Sequence, residues 1–182
     1  IFTGWACDYL TGRAQSRKPF FLYLAYNAPH FPMHAMPEDY QKYRGRFKEG
    51  WDVLRERIIA RQKQMGIIPA DTKLTPRPEG IPAWASLTAD QKKVYCRLQE
   101  VYAGMLDHAD HHLGRLFASL EELDVRDNTL IMVVSDNGAS QEGLQHGVAN
   151  TDRYRNYNPE TVEEMAKKKI TKEYGYVYAE EK

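Results

Sequence analysis

Two apolar runs of this sequence end abruptly in residues that could do chemistry. The first, residues 19–26, leads to His30, and the second, residues 128–134, leads to Asp136 and Asn137. An imidazole such as His30 changes charge near neutral pH, so it can move protons or contact an anion. Asp136 and Asn137 place a carboxylate beside a carboxamide, and these hard oxygen donors suit Ca²⁺ or Mg²⁺. The two junctions are therefore the first candidates for a functional site.

Both runs have the composition of buried parallel strands. They are short, apolar and rich in strand-forming residues, and each stops at turn residues. In an open α/β sheet, sites collect beyond the carboxyl ends of the strands, so we predict His30 and Asp136 at one edge of one sheet, on parallel and neighbouring strands. An Asp-Asn-Gly run also forms ordinary turns without any function, because these residues favour turns. From the residues alone, the metal interpretation and the turn interpretation both remain open.

Helices are predicted to flank the sheet, and the longest covers about residues 88–122. Thr88 and Gln91 have the capping-box spacing that starts a helix. Shorter helices are predicted over residues 2–14 and about 48–65. The long helix carries an apolar stripe at three- and four-residue steps, which we expect to pack against the sheet: Val94, Leu98, Val101, Met105, Ala109, Leu113, Leu116 and Leu120. The pattern predicts an α/β fold, with a mostly parallel sheet flanked by helices.

The long helix also carries a histidine-rich stretch that resembles a metal site. His108 and His112 lie four residues apart and face the same side of a helix, as zinc ligands can. A structural or catalytic zinc site needs three or four ligands, from protein side chains or a bound water, and the sequence shows no third protein ligand, so a polar helix flank is the favoured interpretation. His34 is interpreted as a residue at the rim of the His30 site. His146 could line the same pocket, and the sequence leaves its role open.

Several short motifs occur in a fixed order along the chain. They are Lys18-Pro19-Phe20-Phe21-Leu22-Tyr23-Leu24, Ala28-Pro29-His30-Phe31-Pro32, Tyr102-Ala103-Gly104-Met105-Leu106-Asp107, Leu113-Gly114-Arg115-Leu116, Asp127-Asn128-Thr129-Leu130 and Ser135-Asp136-Asn137-Gly138. Two further stretches lie between them: Gly50-Trp51-Asp52-Val53-Leu54-Arg55 and Pro76-Arg77-Pro78-Glu79-Gly80-Ile81-Pro82-Ala83-Trp84. Over roughly residues 1–165 this ordered set resembles the sulfatase family of the alkaline-phosphatase-like superfamily, and in particular its long bacterial arylsulfatase branch.

The resemblance implies a fold, a reaction and roles for the candidate residues. The fold is a partial alkaline-phosphatase-like sandwich, and the reaction is the hydrolysis of sulfate esters by metal-assisted attack of a hydrated formylglycine. Asp136 and Asn137 are expected to bind a divalent cation, usually Ca²⁺ and alternatively Mg²⁺, that holds the sulfate oxygens. His30 is expected to contact the sulfate ester and to stabilise the leaving group.

The nucleophile of such an enzyme is missing from the sequence. Sulfatases oxidise the cysteine of a Cys-x-Pro/Ala-Ser-Arg box to formylglycine, and neither Cys7 nor Cys96 lies in such a box. We therefore expect an interior fragment that is inactive alone, with residues 1–149 belonging to the catalytic domain and residues 150–182 forming a polar, poorly ordered segment. Two alternatives remain: a truncated or degenerate domain without catalysis, and a phosphate-handling relative of the same superfamily.

The charge of the chain indicates which kinds of molecule it is expected to bind. The chain has 25 basic and 25 acidic residues and a formal net charge of zero, which argues against nucleic acid or anionic membrane as a partner. The expected partners are a small-molecule or glycan sulfate ester and the rest of the sulfatase chain. We expect a bacterial protein of the periplasm or cytoplasm.

Overall fold

The structure of the protein is a computed structural model that describes residues 1–13, 16, 18–135, 137–138, 143 and 145–168. The described residues form six α-helices: α1 (Phe2–Gly12), α2 (Pro37–Tyr40), α3 (Gly50–Gln64), α4 (Ala89–Glu122), α5 (Thr151–Arg155) and α6 (Val162–Lys167). Short 3-10 turns occupy Gln41–Tyr43, Trp84–Ser86 and Arg126–Asn128. In this described part of the chain, no helix is both long enough and apolar enough to pass through a bilayer.

Helix α4 is the element around which the other helices are arranged, and its start confirms the sequence prediction. The Thr88 hydroxyl accepts a hydrogen bond from the backbone N–H of Gln91 at 3.2 Å, and the Gln91 side chain accepts one from the backbone N–H of Thr88 at 2.9 Å. This reciprocal pair satisfies two backbone donors that the first turn of a helix leaves without partners. Helices α1, α2 and α6 all pack on α4.

Three small apolar clusters, each built on α4, form the core. At the C-terminal end of α4, buried Leu116 and Leu120 pack against α1; at its N-terminal end, buried Val94 packs against α6. Between them, Val101 packs on Val148. The partners that α1 and α6 supply to the two end clusters are also buried: Ala6, Leu10, Val162, Met165 and Ala166. The predicted stripe on α4 is thus core, but it packs against helices and loops instead of a sheet.

Helix α2 lies so close to α4 that only glycine fits at the crossing. A Cβ atom on Gly104 would lie 2.7 Å from the backbone nitrogen of Tyr40 and 3.0 Å from the carbonyl carbon of Asp39. Nearby, Arg97 and Glu100 form a buried ion pair on α4, with 2.9 Å between Nη1 of Arg97 and Oε2 of Glu100. The other oxygen of Glu100 accepts the backbone N–H of Gly45 at 2.7 Å, which ties the loop after α2 to α4.

A second glycine fixes the start of α3. Gly50 has a φ of +79°, and a Cβ atom there would lie 2.0 Å from the ring of Trp84. The Trp84 indole N–H donates to the carbonyl of Lys48 at 3.1 Å, and the Trp84 backbone N–H donates to Asp52 at 2.8 Å. The ring of Trp51 meets Trp84 edge to face, with ring centroids 4.9 Å apart. These contacts join the Pro-rich stretch before α4, residues 66–87, to the first turn of α3.

The predicted sheet is absent from the described residues, so the predicted α/β fold, a partial alkaline-phosphatase-like sandwich with a mostly parallel sheet, is wrong for this structure. Residues 19–26 and 129–135 are extended, but neither run is assigned as a strand. In the first run, Phe20, Leu22 and Leu24 pack on the cluster between α1 and α4, while the alternate residues face solvent. The prediction of buried parallel strands is therefore wrong for both runs, because the neighbouring strand that a sheet requires is not found in the described part.

Helices α1 and α3 both leave large apolar side chains exposed. Helix α1 packs through Thr3, Ala6 and Leu10, whereas Trp5 and Tyr9 are 64% and 41% exposed. On α3, Ile58 is 54% exposed.

Candidate functional site

His30 lies at the surface in a turn that directly follows the first extended run. Its backbone N–H donates to the carbonyl of Asn27 at 2.8 Å, and the peptide bonds before Pro29 and Pro32 are cis. The imidazole Nδ1 is hydrogen-bonded to the carbonyl oxygen of Phe31. Because a carbonyl can only accept, Nδ1 is the donor, and the neutral imidazole keeps its second nitrogen, Nε2, as an acceptor.

The second junction is described only around Asp136, which itself lies outside the described residues. Ser135 donates its hydroxyl to the carbonyl of Asn137 at 2.8 Å, and the Asn137 amide nitrogen donates to the carbonyl of Gly138 at 2.7 Å. Asn137 is exposed. With its amide nitrogen engaged in this way, the ligand that Asn137 can offer to a cation is the amide oxygen.

The segments that follow the two junctions meet on the same stretch of α4. Phe31, next to His30, packs on the cluster of Val101 and Val148, and Val148 lies eleven residues after Asn137. The ring of Phe31 also meets the ring of Tyr154 edge to face, with centroids 6.2 Å apart. Helix α4 thus contacts both the residue after His30 and a residue eleven positions after Asn137.

His34 and His146, the two other histidines considered near the His30 site, lie in different surroundings. The ring of His146 stacks on the ring of Tyr95, with an angle of 5° between the planes, and the Tyr95 hydroxyl is hydrogen-bonded to Nδ1 of His146. Burial raises the pKa of Tyr95, so its phenol stays protonated near neutral pH. For His34, burial lowers the pKa, because a partly buried environment disfavours the charged imidazole.

A complete metal site does not form within the part of the chain that the structure describes. Those residues contain no group of three or more His, Cys, Asp or Glu side chains positioned to hold an ion. A calcium ion needs about six to eight oxygen ligands, and Asp136 with Asn137 would supply only a few of them. Most of the ligand shell of such an ion must therefore come from other groups.

A comparison with models of protein families identifies the family of this chain. Residues 5–173 match the model of the sulfatase family. The chain belongs to the sulfatase family. This confirms the resemblance that the ordered motifs indicated.

Three proteins similar to this chain come from a fungus and from bacteria. The chain is 39% identical over 141 residues to an uncharacterized sulfatase of Schizosaccharomyces pombe. The matched region covers 76% of this chain and 25% of that protein. It is 38% identical over 123 residues to the arylsulfatase of Klebsiella aerogenes, covering 68% of this chain and 26% of that enzyme. The multifunctional alkaline phosphatase superfamily protein PehA of Trinickia caryophylli is 32% identical over 152 residues, or 80% of this chain and 28% of that protein. The chain spans about a quarter of the length of these relatives.

One polar network in this sulfatase chain was only half visible in the sequence. His108 and His112 were recognised as a pair on one helix face, but their partner Asp39 lies 69 residues before His108, on α2. Nearby, Asp107 accepts hydrogen bonds from Lys42 at 2.6 Å and from Tyr43 at 3.2 Å. Spacing along one helix reveals contacts within that helix, whereas contacts between α2 and α4 depend on how the chain folds back.

Proposed function

We propose that this chain contributes His30, Asp136 and Asn137 to the active site of a sulfatase that hydrolyses sulfate esters, of the arylsulfatase type. The proposal is supported by membership of the sulfatase family and by the arylsulfatase relative. The structural observation that carries it is the cluster of Phe31, Val101 and Val148, since it draws the segment of His30 toward the segment that follows Asn137. The substrate is a small-molecule or glycan sulfate ester.

In this proposal His30 contacts the sulfate ester on the side of the leaving group. The Phe31 carbonyl keeps the proton of the neutral ring on Nδ1, so Nε2 is the nitrogen that exchanges a proton with substrate. When protonated, Nε2 becomes a donor to the ester oxygen and stabilises the negative charge that develops there as the bond to sulfur breaks. The exposed position of His30 leaves the ring accessible to a substrate from solvent.

Asp136 and Asn137 are proposed ligands of a divalent cation, Ca²⁺ or alternatively Mg²⁺. The ion would supply positive charge against the sulfate oxygens. The described residues do not fit the ion on their own, because no group of three ligands converges among them. We propose that other residues of the sulfatase complete the shell.

Neither cysteine of the chain is suited to be the nucleophile. Cys7 lies on α1 and accepts a contact from the hydroxyl of Ser119 at 3.2 Å. Burial raises the pKa of Cys96, which favours the less reactive thiol over the thiolate. Neither one has the Cys-x-Pro/Ala-Ser-Arg context that yields formylglycine. We therefore propose that these 182 residues have no sulfatase turnover by themselves.

The roles of His30 and Asp136 can be tested in a sulfatase polypeptide that contains these residues together with a formylglycine box. Hydrolysis of 4-nitrophenyl sulfate is measured against a Ca²⁺ titration for Asp136→Asn and His30→Ala. We expect each variant to lose at least about tenfold in activity, and raised Ca²⁺ to restore part of the loss only in Asp136→Asn, which keeps an oxygen ligand but removes a charge. His34→Gln is the matched control in the loop of His30. Full activity of Asp136→Asn in chelator-treated buffer would remove the metal assignment.

The chain alone tests whether the nucleophile is absent. Purified chain of residues 1–182 should release no 4-nitrophenol from its sulfate ester above a buffer blank. Steady turnover by contaminant-free chain would contradict the proposal.

A phosphate-handling activity is the second candidate, favoured by the similarity to PehA. The same polypeptide is assayed with 4-nitrophenyl sulfate and 4-nitrophenyl phosphate. A higher kcat/KM for the phosphate ester would replace the sulfatase proposal by this candidate.

A further inference from the structure

His108 and His112 form a pair of imidazoles with their outer nitrogens turned toward each other. Both side chains lie on α4, one turn apart, and their Nε2 atoms are 3.0 Å apart. The His108 side chain is 49% exposed, so the space between the rings can be reached from solvent. Two nitrogens that bind one tetrahedral zinc ion at about 2.0–2.1 Å lie about 3.3–3.4 Å apart. The observed separation is only a few tenths of an ångström shorter.

Asp39 fixes the orientation of His108 from the neighbouring helix. The Nδ1 atom of His108 lies 2.8 Å from Oδ2 of Asp39, and the Asp39 side chain is only 10% exposed. Lys42 holds the other oxygen of Asp39, with 3.4 Å between Nζ and Oδ1. A carboxylate can only accept, so Nδ1 of His108 is the donor and Nε2 carries the lone pair. A carboxylate on the far nitrogen of a histidine is the usual support of a metal-binding imidazole.

Arg115 fixes the second imidazole in the absence of a metal. Its Nη1 lies 3.1 Å from Nδ1 of His112, and a guanidinium can only donate. Nδ1 of neutral His112 is thus an acceptor, and its Nε2–H donates to Nε2 of His108. Hydrogen bonds therefore run in one direction from Arg115 through both histidines to Asp39. A metal ion bound by both Nε2 atoms would replace this proton on Nε2 of His112.

We propose that His108 and His112 bind a divalent transition-metal ion such as Zn²⁺ through their Nε2 atoms, with Asp39 as a positioning residue. Binding moves the proton of His112 from Nε2 to Nδ1 through solvent, with no net release of protons. Protonated Nδ1 can no longer accept from Arg115, so this exposed side chain moves into solvent. Imidazole ligands select zinc, copper or nickel over Ca²⁺, which prefers oxygen.

The site has two protein ligands and is therefore open. Among the residues that the structure describes, no third His, Cys, Asp or Glu side chain completes the set. Asp107, the residue before His108 on α4, is held by Lys42 at 2.6 Å. Water would fill the remaining positions of a tetrahedral ion. Zinc binding at these two histidines does not depend on the proposed sulfatase activity.

Zinc binding to the chain is measured by calorimetry and by competition with a chromophoric zinc indicator. We expect one equivalent to bind, and His108→Gln and His112→Gln each to weaken binding by at least about tenfold. Asp39→Asn should weaken it by about 10–100-fold, because it removes the support of His108. Arg115→Met should strengthen binding, since it removes a positive charge and a competitor for His112. His111→Gln is the matched control on α4 and should bind as the wild type does.

Several results would overturn the proposal. One is the absence of saturable binding at millimolar zinc, and another is wild-type affinity in both His108→Gln and His112→Gln. A sulfur-to-metal absorption band with Co²⁺ would assign the ion to a cysteine instead. Because Asp39 is buried, the fold of each variant is checked by circular dichroism. Imidazole ¹⁵N spectra of the wild type test the site without any substitution. Zinc must shift the Nε2 resonances of His108 and His112, and shifts confined to His111 would contradict the site.

Discussion

Helix α4 and the second extended run both have an apolar sequence pattern, but their side chains differ in burial. Along α4, five of the eight apolar residues at helical spacing are buried, with Val94 and Val101 each 1% exposed. In the second extended run, Leu130 and Val134 are 86% and 77% exposed, although the run is just as apolar. A helix makes its backbone hydrogen bonds within itself, whereas a strand needs a neighbouring strand for them. Local sequence can therefore specify α4, but it can specify a sheet only together with distant segments.

Two methionines give the sharpest test of this contrast. Met165 is 0% exposed in the cluster between α4 and α6, and Met132 is 76% exposed in the second extended run. Met165→Ala should lower the free energy of unfolding by about 2–5 kcal/mol, because it removes buried surface and leaves a cavity. Met132→Ala should change it by less than about 0.5 kcal/mol. Urea unfolding of both variants gives the values, and equal losses would mean that the exposed run packs in solution.

Two glycines of α4 test how closely α2 approaches it. Gly104→Ala should destabilise the chain by about 1–3 kcal/mol, because the added Cβ meets the backbone of α2, which cannot move aside as a flexible side chain can. Gly114→Ala is the control, since nothing lies within 4 Å of its Cβ position, and alanine there should stabilise the helix by about 0.5–1 kcal/mol. Thermal and urea unfolding measure both. Similar stabilisation by the two substitutions would show that the crossing is looser than the structure has it.

The smallest effect concerns the polar side of the same crossing. The hydrogen bond from Lys42, followed by one from Tyr43, lowers the pKa of Asp107. A lowered pKa in the folded chain means that this contribution is present above the unfolded value of about 3.9 and is lost as the pH falls through the folded value. The stability difference between wild type and Asp107→Asn should thus be larger at pH 6 than at pH 3. Lys42→Met should remove most of this pH dependence, and an unchanged dependence would point to another partner.

The sequence predicted the parts of the structure that depend on neighbouring residues. The capping box of Thr88 and Gln91 and the periodicity of α4 are local, and both are confirmed. The ordered motifs correctly indicated the sulfatase family.

The features that the sequence did not predict depend on contacts between residues that lie far apart in the sequence. The buried pair of Arg97 and Glu100 lies on the face of α4 where only apolar residues were expected, and it is stabilised by Tyr40 and Gly45 from another segment. No spacing rule links position 39 to position 108. For the candidate site, the roles of His30, Asp136 and Asn137 stay predictions, because they depend on a substrate and a cation that act on the whole site.

The contact between Gly50 and Trp84 limits the order in which substitutions can accumulate in this chain. While the tryptophan is present, any side chain at position 50 would collide with its ring. Replacing Trp84 by a smaller residue removes that collision but leaves the positive φ of Gly50, which still favours glycine. Position 84 can therefore vary while position 50 stays constant, but the reverse order is blocked. In sequences that diverge from this one, we therefore expect Trp84 to be replaced before Gly50 is.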